Sequence, residues 1–569
     1  MPMNQKICFY IFSLHLFLLR VTHAQIIMDG LFDDWQNAFY VDDQGDNVAF
    51  DIEKLWITND ENFLYLRIDT DLVFDLQEDS NLRLAIDMDN HSNTGIPING
   101  IGAELIYNFR QRSGQLHTGQ SVIAINHSVP GIFAMPSFTS NSFEIAVLRT
   151  FLFNNIQYNM SGSISIYIEN DIVLKDKIPN GTGGVIYNMD NSIQSKLPPY
   201  QLDKPKTDAI RILSYNVEND GLFDNAKGSM QRKIIQALNP DIIAFQEIYF
   251  RPSTSVAQVM NSILPLSRVD GWYHAKVNPD IVTVSKYPIL AFNAIDGNGV
   301  FLIDIPGEEV LVLYNLHLPC CNNNEGRRRE IDKILATLRD GRNHPAISFS
   351  IPEGSPVIIA GDLNLVGDKN QYLSLRDGKI SNPAEHGSDF LPDWGKGSLN
   401  DASPIVTSMP ATITWYDPNS SYMAGKLDYF LYTSSVAQLT NSYALSTESM
   451  TDEEMAYFGF DDPSMTTKAS DHLPLVADFV FSPNGNTTSV KKKYRSEIQI
   501  IPNPAENIIF ISGLKGQAGI QIFNGNGQLL LSKNHLDPLD QINISGLNPG
   551  KYLICINESI PHCHWLIKN

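Results

Sequence analysis

At 569 residues the chain is too long for one hydrophobic core, so three or four domains are expected. Its 43% hydrophobic and 18% charged residues exclude a disordered or fibrous protein. A formal net charge of -22 excludes a general nucleic-acid coat, which needs a basic footprint. It leaves room for a polyanionic substrate, because bound metal ions supply positive charge locally.

In chain order, Met1 to Ala24 reads as a signal peptide. Lys6 supplies the positive end, Ile7 to Leu19 the apolar run and Thr22-His23-Ala24 a small-residue cleavage site. The run is too short to span a bilayer comfortably and no later stretch is long enough, so an exported, soluble protein without a transmembrane segment is expected. Loss of Lys6 and Arg20, with no acid, moves the formal charge from -22 to -24. Cys8 leaves with the signal, and the four remaining cysteines are no disulfide framework. Cys555 and Cys563 flank a predicted hairpin symmetrically and can pair across it. Cys320-Cys321 has no evident base beside it and reads as structural.

Residues 25–190 read as all-β. Phe63–Ile68, Leu82–Ile86, Phe143–Val147 and Ile164–Ile168 are strand-like runs between Asn, Asp, Gly and Pro turns, which predicts a β-sandwich. Asp29-Gly30 to Asp33-Asp34-Trp35, then Asp87-Met88-Asp89-Asn90, Thr94-Gly95 and Gly102-Ala103-Glu104, resemble the family 9 carbohydrate-binding-module and DOMON-like sandwiches. That resemblance implies a binding or spacer domain, with carbohydrate as a candidate ligand. Asp87 and Asp89 are candidate Ca²⁺ ligands, the alternative being a solvated acidic turn. The loop is no EF-hand, since His91 and Ser92 occupy positions where that loop wants an oxygen ligand and a glycine. Trp35 and Trp56 are either sugar-stacking or core aromatics.

Residues 191–209, with Pro198-Pro199 and Lys204-Pro205-Lys206, read as a linker. From 210 to 482 strands alternate with helical segments. Strands are predicted at Ile210–Val217, Asp241–Ile248, Asp280–Ser285, Val310–Leu318, Pro356–Asn364, Lys426–Tyr432 and Leu473–Phe481. Helices are predicted at Ser229–Leu238, Ser253–Leu264 and Arg327–Arg339, which argues a layered α/β domain. Residues 483–497 read as a second linker. From 498 to 569 short strands return. Pro502-Asn503-Pro504, Phe523-Asn524-Gly525-Asn526-Gly527 and Ile544-Ser545-Gly546-Leu547-Asn548-Pro549-Gly550 resemble the C-terminal sorting domain of type IX secretion. That resemblance implies Sec export from a Gram-negative bacterium, then passage over the outer membrane by the type IX machinery to the surface or the medium.

Six polar clusters stand at the predicted strand ends of the α/β domain. Asn216 and Glu218 alternate onto one face, and Ile242 to Gln246 leads into Glu247, a carboxylate with little reason to end a buried strand unless something cationic meets it. Asn315 and His317 share a face. Asp362 and Asn364 follow the buried run Val357 to Ala360 and Gly361. In extended chain they point the same way and can hold a divalent cation and a phosphate oxygen together. Asp428 sits in an apolar strand, either as partner to Lys426 or as part of a site, and Asp471-His472 precedes the last strand. Phosphodiester hydrolysis needs charge neutralisation, a base and a stabilised leaving group, and this set supplies each.

In order and kind, the clusters resemble the endonuclease/exonuclease/phosphatase superfamily, whose fold is a four-layer α/β/β/α sandwich with the site at one rim of its two sheets. The expected architecture is therefore multidomain: this α/β sandwich, preceded by an all-β sandwich and followed by a small one. The resemblance implies Mg²⁺, or Mn²⁺ in its place, with Glu247 as principal ligand and Asn216, Glu218 and Asp471 beside it. It implies that Asp362 orients or deprotonates the attacking water, that Asn364 holds it and the phosphate, and that His317 binds phosphate or donates a proton. It also implies that His472 contacts the scissile phosphate, held by Asp428. At Pro279-Asp280 the chain departs from the Gly-Asn of the family, and Arg327 to Arg329 either steer a phosphate backbone or begin a helix. The first function expected is a secreted phosphodiester hydrolase acting on DNA or RNA. A sphingomyelinase-like lipid phosphodiesterase or phosphatase is the alternative, and a non-catalytic glycan-binding surface protein the third reading.

Overall fold

The computed structural model describes residues 25–569 except 44, 46–49, 171–175, 198–199, 269–270, 306–309, 342–343, 345, 482–498, 502–503, 513–517, 525–527, 537–539, 558–560 and 569. The signal peptide, Pro198-Pro199 and the second linker therefore lie outside the described residues.

Two antiparallel sheets form the N-terminal region. One runs Phe39–Asp42, Ile52–Asn59, Phe63–Phe74, Ser140–Leu148, Phe133–Met135, and the other is built around Ser163–Asn170, Leu82–Asp87 and Leu105–Asn108. Their inner faces meet through Leu64, Leu66 and Ile68 on one side and Leu84, Ile86 and Ile166 on the other. Side chains alternate along a strand, so Phe63 and Tyr65 point away from that core. They pack instead into a second core shared with the α/β region. This explains why the run from Phe63 is apolar without a break: both of its faces are covered.

The α/β region begins with β1 (Ile210–Asn216), helix α1 (Lys227–Leu238), β2 (Ile242–Gln246) and α2 (Ser253–Ile263). Four strands follow, β3 (Tyr273–Val277), β4 (Ile281–Ser285), β5 (Ile289–Ile295) and β6 (Asn298–Ile303). Then come β7 (Leu311–His317), α3 (Asn324–Arg339), β8 (Val357–Asp362) and α4 (Lys369–Asp377). The region closes with β9 (Asn400–Asp401), β10 (Asp428–Tyr432), β11 (Ala437–Ala444) and β12 (Leu475–Phe481). One sheet has the order β3-β4-β2-β1-β12-β11 and the other β5-β6-β7-β8-β10-β9. Ile212 and Ile242 meet Leu313, Ile358 and Ala360 between the sheets. Leu213 and Tyr215 pack outward on Ile234, Ile235 and Met260 of α1 and α2, and Val357 and Ile359 on Ile331 and Leu335 of α3. The result is the expected four layers. The strands that sequence alone did not reveal include β3, β5, β9 and β11, the ends of the two sheets, where one neighbour suffices and apolar periodicity is weak.

In the C-terminal region a three-stranded and a four-stranded sheet enclose Ile509, Ile520, Ile554 and Leu566. Cys555 stands opposite Cys563 in the hairpin, and the two are disulfide-bonded. Phe510 meets Phe292 of β5 edge-on at 5.3 Å.

The N-terminal sandwich is built into the α/β region rather than tethered beside it. The Met28 N–H donates to Pro410 O (2.8 Å), Thr412 N–H to Met28 O (3.0 Å), and Thr139 N–H to Gly367 O (2.6 Å). Behind this seam Trp35 is fully buried, so it cannot stack on a sugar, and its indole N–H donates to Glu144 at 2.8 Å. The Glu144 carboxylate also accepts from Gly30 N–H (2.8 Å) and Asp29 N–H (3.1 Å), which is what ties the Asp29-Gly30 motif to Trp35. Burial drives the Glu144 carboxyl well above the usual carboxylate range. Glu144→Ala would strand these donors and is expected to cost about 2–4 kcal/mol, read as a shift in the urea midpoint with unchanged slope.

Candidate active site

The site lies where β1 and β2 meet β7 and β8. Register places it: His317 pairs with Asp362 across the parallel β7–β8 ladder, and Asp362 with Asp428 across the antiparallel β8–β10 ladder, so three ionisable groups form one row. Gly361, with φ +135°, permits this row, because a Cβ there would lie 2.0 Å from the Leu316 carbonyl oxygen.

Asp362 Oδ2 is the point of convergence. Nε2 of His317 lies 3.5 Å from it, Nε2 of His472 3.6 Å, and the Asn216 amide donates to it at 3.2 Å. Each imidazole is braced on its far side. His317 Nδ1 donates to Asp280 at 2.6 Å and His472 Nδ1 to Asp428 at 2.8 Å. Lys426 takes Asp401 as its partner at 2.7 Å, which leaves Asp428 to the histidine. Burial alone would lower the His472 ring, but the charges of Asp428 and Asp362 outweigh it and raise the pKa to about 10. For His317 burial is likewise overcome, by the Asp280 hydrogen bond and the Asp362 charge, to about 9. Burial pushes the Asp362 carboxyl up to about 6 against the pull of the two imidazoliums.

Glu247 stands just past β2, with φ 64°, half-buried. Its carboxylate accepts from Asn216 Nδ2 (3.1 Å) and Asn219 N–H (2.8 Å). Asp471 accepts from the Trp415 indole at 3.0 Å, and Ser470 Oγ donates to Asn216 O at 2.9 Å, tying the His472 segment to β1. Two alternation readings fail. Asn364 turns left-handed at φ 47°, donating its backbone N–H to Asp362 Oδ1 and its amide to Leu318 O. Glu218, at φ 51°, pairs with Lys227 at 2.5 Å and accepts from Asp471 N–H. The strands end at Asp362 and Asn216, and beyond them the backbone no longer alternates. Asn315 lies buried between the sheets, bonded to Gln246 and Thr283. Arg327 is fully buried and clamps Pro319 O, Cys321 O and Val366 O, so it starts a helix and steers no substrate. Asp280 is the functional side chain that sequence reasoning missed as a partner. Its signal was a carboxylate directly before the buried run Ile281 to Ser285.

Glu247, His317, Asp362, Asn364, Asp471 and His472 open into a cleft of about 630 Å³. Seven carboxylates and no lysine or arginine line it among the described residues. An anionic phosphoryl group would meet net negative charge there, so the donor set, hard oxygens with the half-buried Glu247 at the open side, suits a hard divalent cation. Asp362, Asp428 and His472 also offer atoms within 4.8 Å of one another, but the imidazole already bridges the two acids.

Residues 213–472 match the endonuclease/exonuclease/phosphatase family model, and residues 499–562 the secretion-system C-terminal sorting domain, which directs the protein to the outer surface or the medium. No curated protein matches the chain. Among solved structures, the 2',3'-cyclic phosphatase ANGEL2 is 17% identical, covering 48% of this chain and 96% of that one with a TM-score of 0.32. An endonuclease/exonuclease/phosphatase from Beutenbergia cavernae is 14% identical over 63% of this chain and 100% of that one, at 0.29. The type IX surface component PorZ of Porphyromonas gingivalis is 14% identical over 18% of this chain and 14% of that one, at 0.12. No helix among the described residues is long and apolar enough to cross a membrane.

In the sandwich, Asp87, Asp89 and Glu104 bring carboxylate oxygens within 4.8 Å of one another. Asp87 accepts from His91 N–H (2.9 Å) and Gly102 N–H (3.2 Å), and Glu104 from Met88 N–H (2.7 Å). Burial, then the Asp89 and Asp87 charges, raise the Glu104 carboxyl from 4.5 to about 7. Its folded pKa lies above the unfolded value, so its stabilising share is complete below pH 4.5 and lost as pH rises through about 7. Glu104→Gln keeps the Met88 hydrogen bond and removes the charge. At pH 8 in EDTA the variant should melt above wild type, with the difference gone at pH 4.5. Added Ca²⁺ should raise the wild-type Tm alone; equal responses in both proteins would count against calcium at these acids.

Proposed function

We propose that the protein is a secreted, divalent-metal-dependent phosphodiester hydrolase acting on extracellular nucleic acid, its chemistry carried by the endonuclease/exonuclease/phosphatase-family domain at residues 213–472. The observation that carries this reading is the convergence of two acid-braced imidazoles on one buried carboxylate at the floor of a cleft. Glu247, with Asn216 and Asp471 near it, would hold Mg²⁺ or Mn²⁺, which supplies positive charge for the non-bridging phosphate oxygens. Asp362, its carboxyl raised by burial, orients the attacking water and accepts its proton. His472, kept protonated by Asp428, donates from Nε2 to a phosphoryl oxygen. His317, kept protonated by Asp280, does the same toward the leaving oxygen, and Asn364, anchored on Leu318 O, fixes the phosphate.

A lipid phosphodiester or a phosphomonoester would use the same residues, and the half-buried Phe138 across the cleft supports that second reading. Carbohydrate binding by the sandwich is a companion proposal, supported by the half-exposed Tyr40 ring 4.5 Å from Trp56. A glycan array on the full chain tests it.

Plasmid DNA, RNA, sphingomyelin and a phosphomonoester, each with and without EDTA, test the activity; no metal-dependent turnover of any of them overturns it. His472→Asn and His317→Asn each keep a donor for the bracing acid but lose Nε2. Each is expected to lose about 10²-fold in kcat, measured well below a Tm that falls because the buried acids lose part of their charge offset. Asp428→Asn and Asp280→Asn should lose about 10–100-fold, as misoriented imidazoles do. Wild-type turnover in His472→Asn would sink the assignment.

A further inference from the structure

The cleft has two walls, and only one belongs to the α/β region. Leu76, Glu78, Asp79, Pro136 and Phe138 of the sandwich face the site across the same space. Both sandwich loops are fastened down. The Tyr422 hydroxyl donates to Glu78 at 3.1 Å and Met423 N–H to Gln77 Oε1 at 3.0 Å. The Arg112 guanidinium lies 4.0 Å over the Tyr422 ring and pairs with Glu78. Phe138 stacks on Tyr372 at 5.6 Å, and Lys426 N–H donates to Ser137 Oγ at 2.8 Å. Asn126 reaches Pro418 O at 2.7 Å.

We propose that this second wall sets the substrate: the enzyme hydrolyses phosphodiesters of short single strands and free ends, and excludes the interior of a continuous duplex. The inference rests on the hydrolase reading above and narrows it. Three observations carry it. A space of about 630 Å³ is that of a small-molecule pocket, room for a nucleotide or two. Proteins that grip a long nucleic-acid backbone do so with lysine and arginine, and the described lining has neither. Beside the Arg112-paired Glu78 the added wall carries Asp75 and Asp79, whose charge repels neighbouring phosphates of a long chain within a Debye length. The half-buried Phe138 meanwhile offers a base or sugar an apolar face.

The test uses the full-length protein with Mg²⁺ on a dinucleotide, a linear single-stranded 20-mer (about two helical turns' worth of bases), covalently closed plasmid and sphingomyelin vesicles. The dinucleotide and the 20-mer are expected to show kcat/KM per phosphodiester at least about 10²-fold above plasmid, with mononucleotides released from the 20-mer. Loosening the wall away from the chemistry without changing its charge, by Gln77→Ala with Asn126→Ala, should raise plasmid nicking about tenfold while dinucleotide kcat stays within about twofold. Plasmid cut per bond as fast as the dinucleotide would overturn the wall's role and leave the hydrolase reading standing. Vesicle hydrolysis matching the dinucleotide, or unchanged discrimination in the double variant, would also overturn it. Failure of every substrate in every metal sinks both.

Discussion

One carboxylate oxygen, Oδ2 of Asp362, organises the catalytic half of this molecule. A buried acid is expensive unless hydrogen-bonded and offset by charge. Here the offset comes from His317, His472 and Asn216, each delivered by a different segment of chain. Each histidine in turn needs its own acid, so Asp280 and Asp428 are drawn in, and the row from β7 through β8 to β10 follows from that chain of debts. Shifting β8 by one residue would turn Asp362 to the opposite face and leave both imidazoles facing apolar side chains.

The same logic explains the acid excess at the cleft. Acids that are braced by histidines or by backbone N–H groups, as Glu247 is by Asn219, can be kept close together, yet the cleft stays net negative. Substrate phosphate therefore has to be met by a cation and by the two imidazoliums rather than by a basic groove. That division confines strong attraction to the scissile group and leaves flanking phosphates unsupported.

The sandwich is part of this design because its first sheet is buried on both sides. Phe63 and Tyr65 pack toward the α/β region while Leu64 and Leu66 pack within the sandwich, so the two regions share a core. Glu144 locks the leading segment to that sheet through Trp35 and the Gly30 N–H. The loops over the cleft are thus carried on a rigid support.

How much of this was legible depends on the range of the interaction. Buried central strands announced themselves by unbroken apolar runs such as Val357 to Ala360, and the helices by their periodicity, because those patterns are local. Glu247 and Asp362 stood out as polar residues closing apolar strands and His472 as one leading into the last strand, and the Asp428–His472 pairing followed from the resemblance. The strand β6 escaped, its apolar run Val300–Ile303 preceded by Gly297 and Gly299. What only the tertiary structure decided was long-range. It turned Asn364 and Glu218 out of extended alternation at the strand ends, matched Asp280 to His317, buried Arg327 as a loop clamp, and laid the sandwich along the cleft. Composition and periodicity report which face of an element is covered, but not by what. Partners a hundred or more residues apart are chosen by sheet register and packing, which no local window contains.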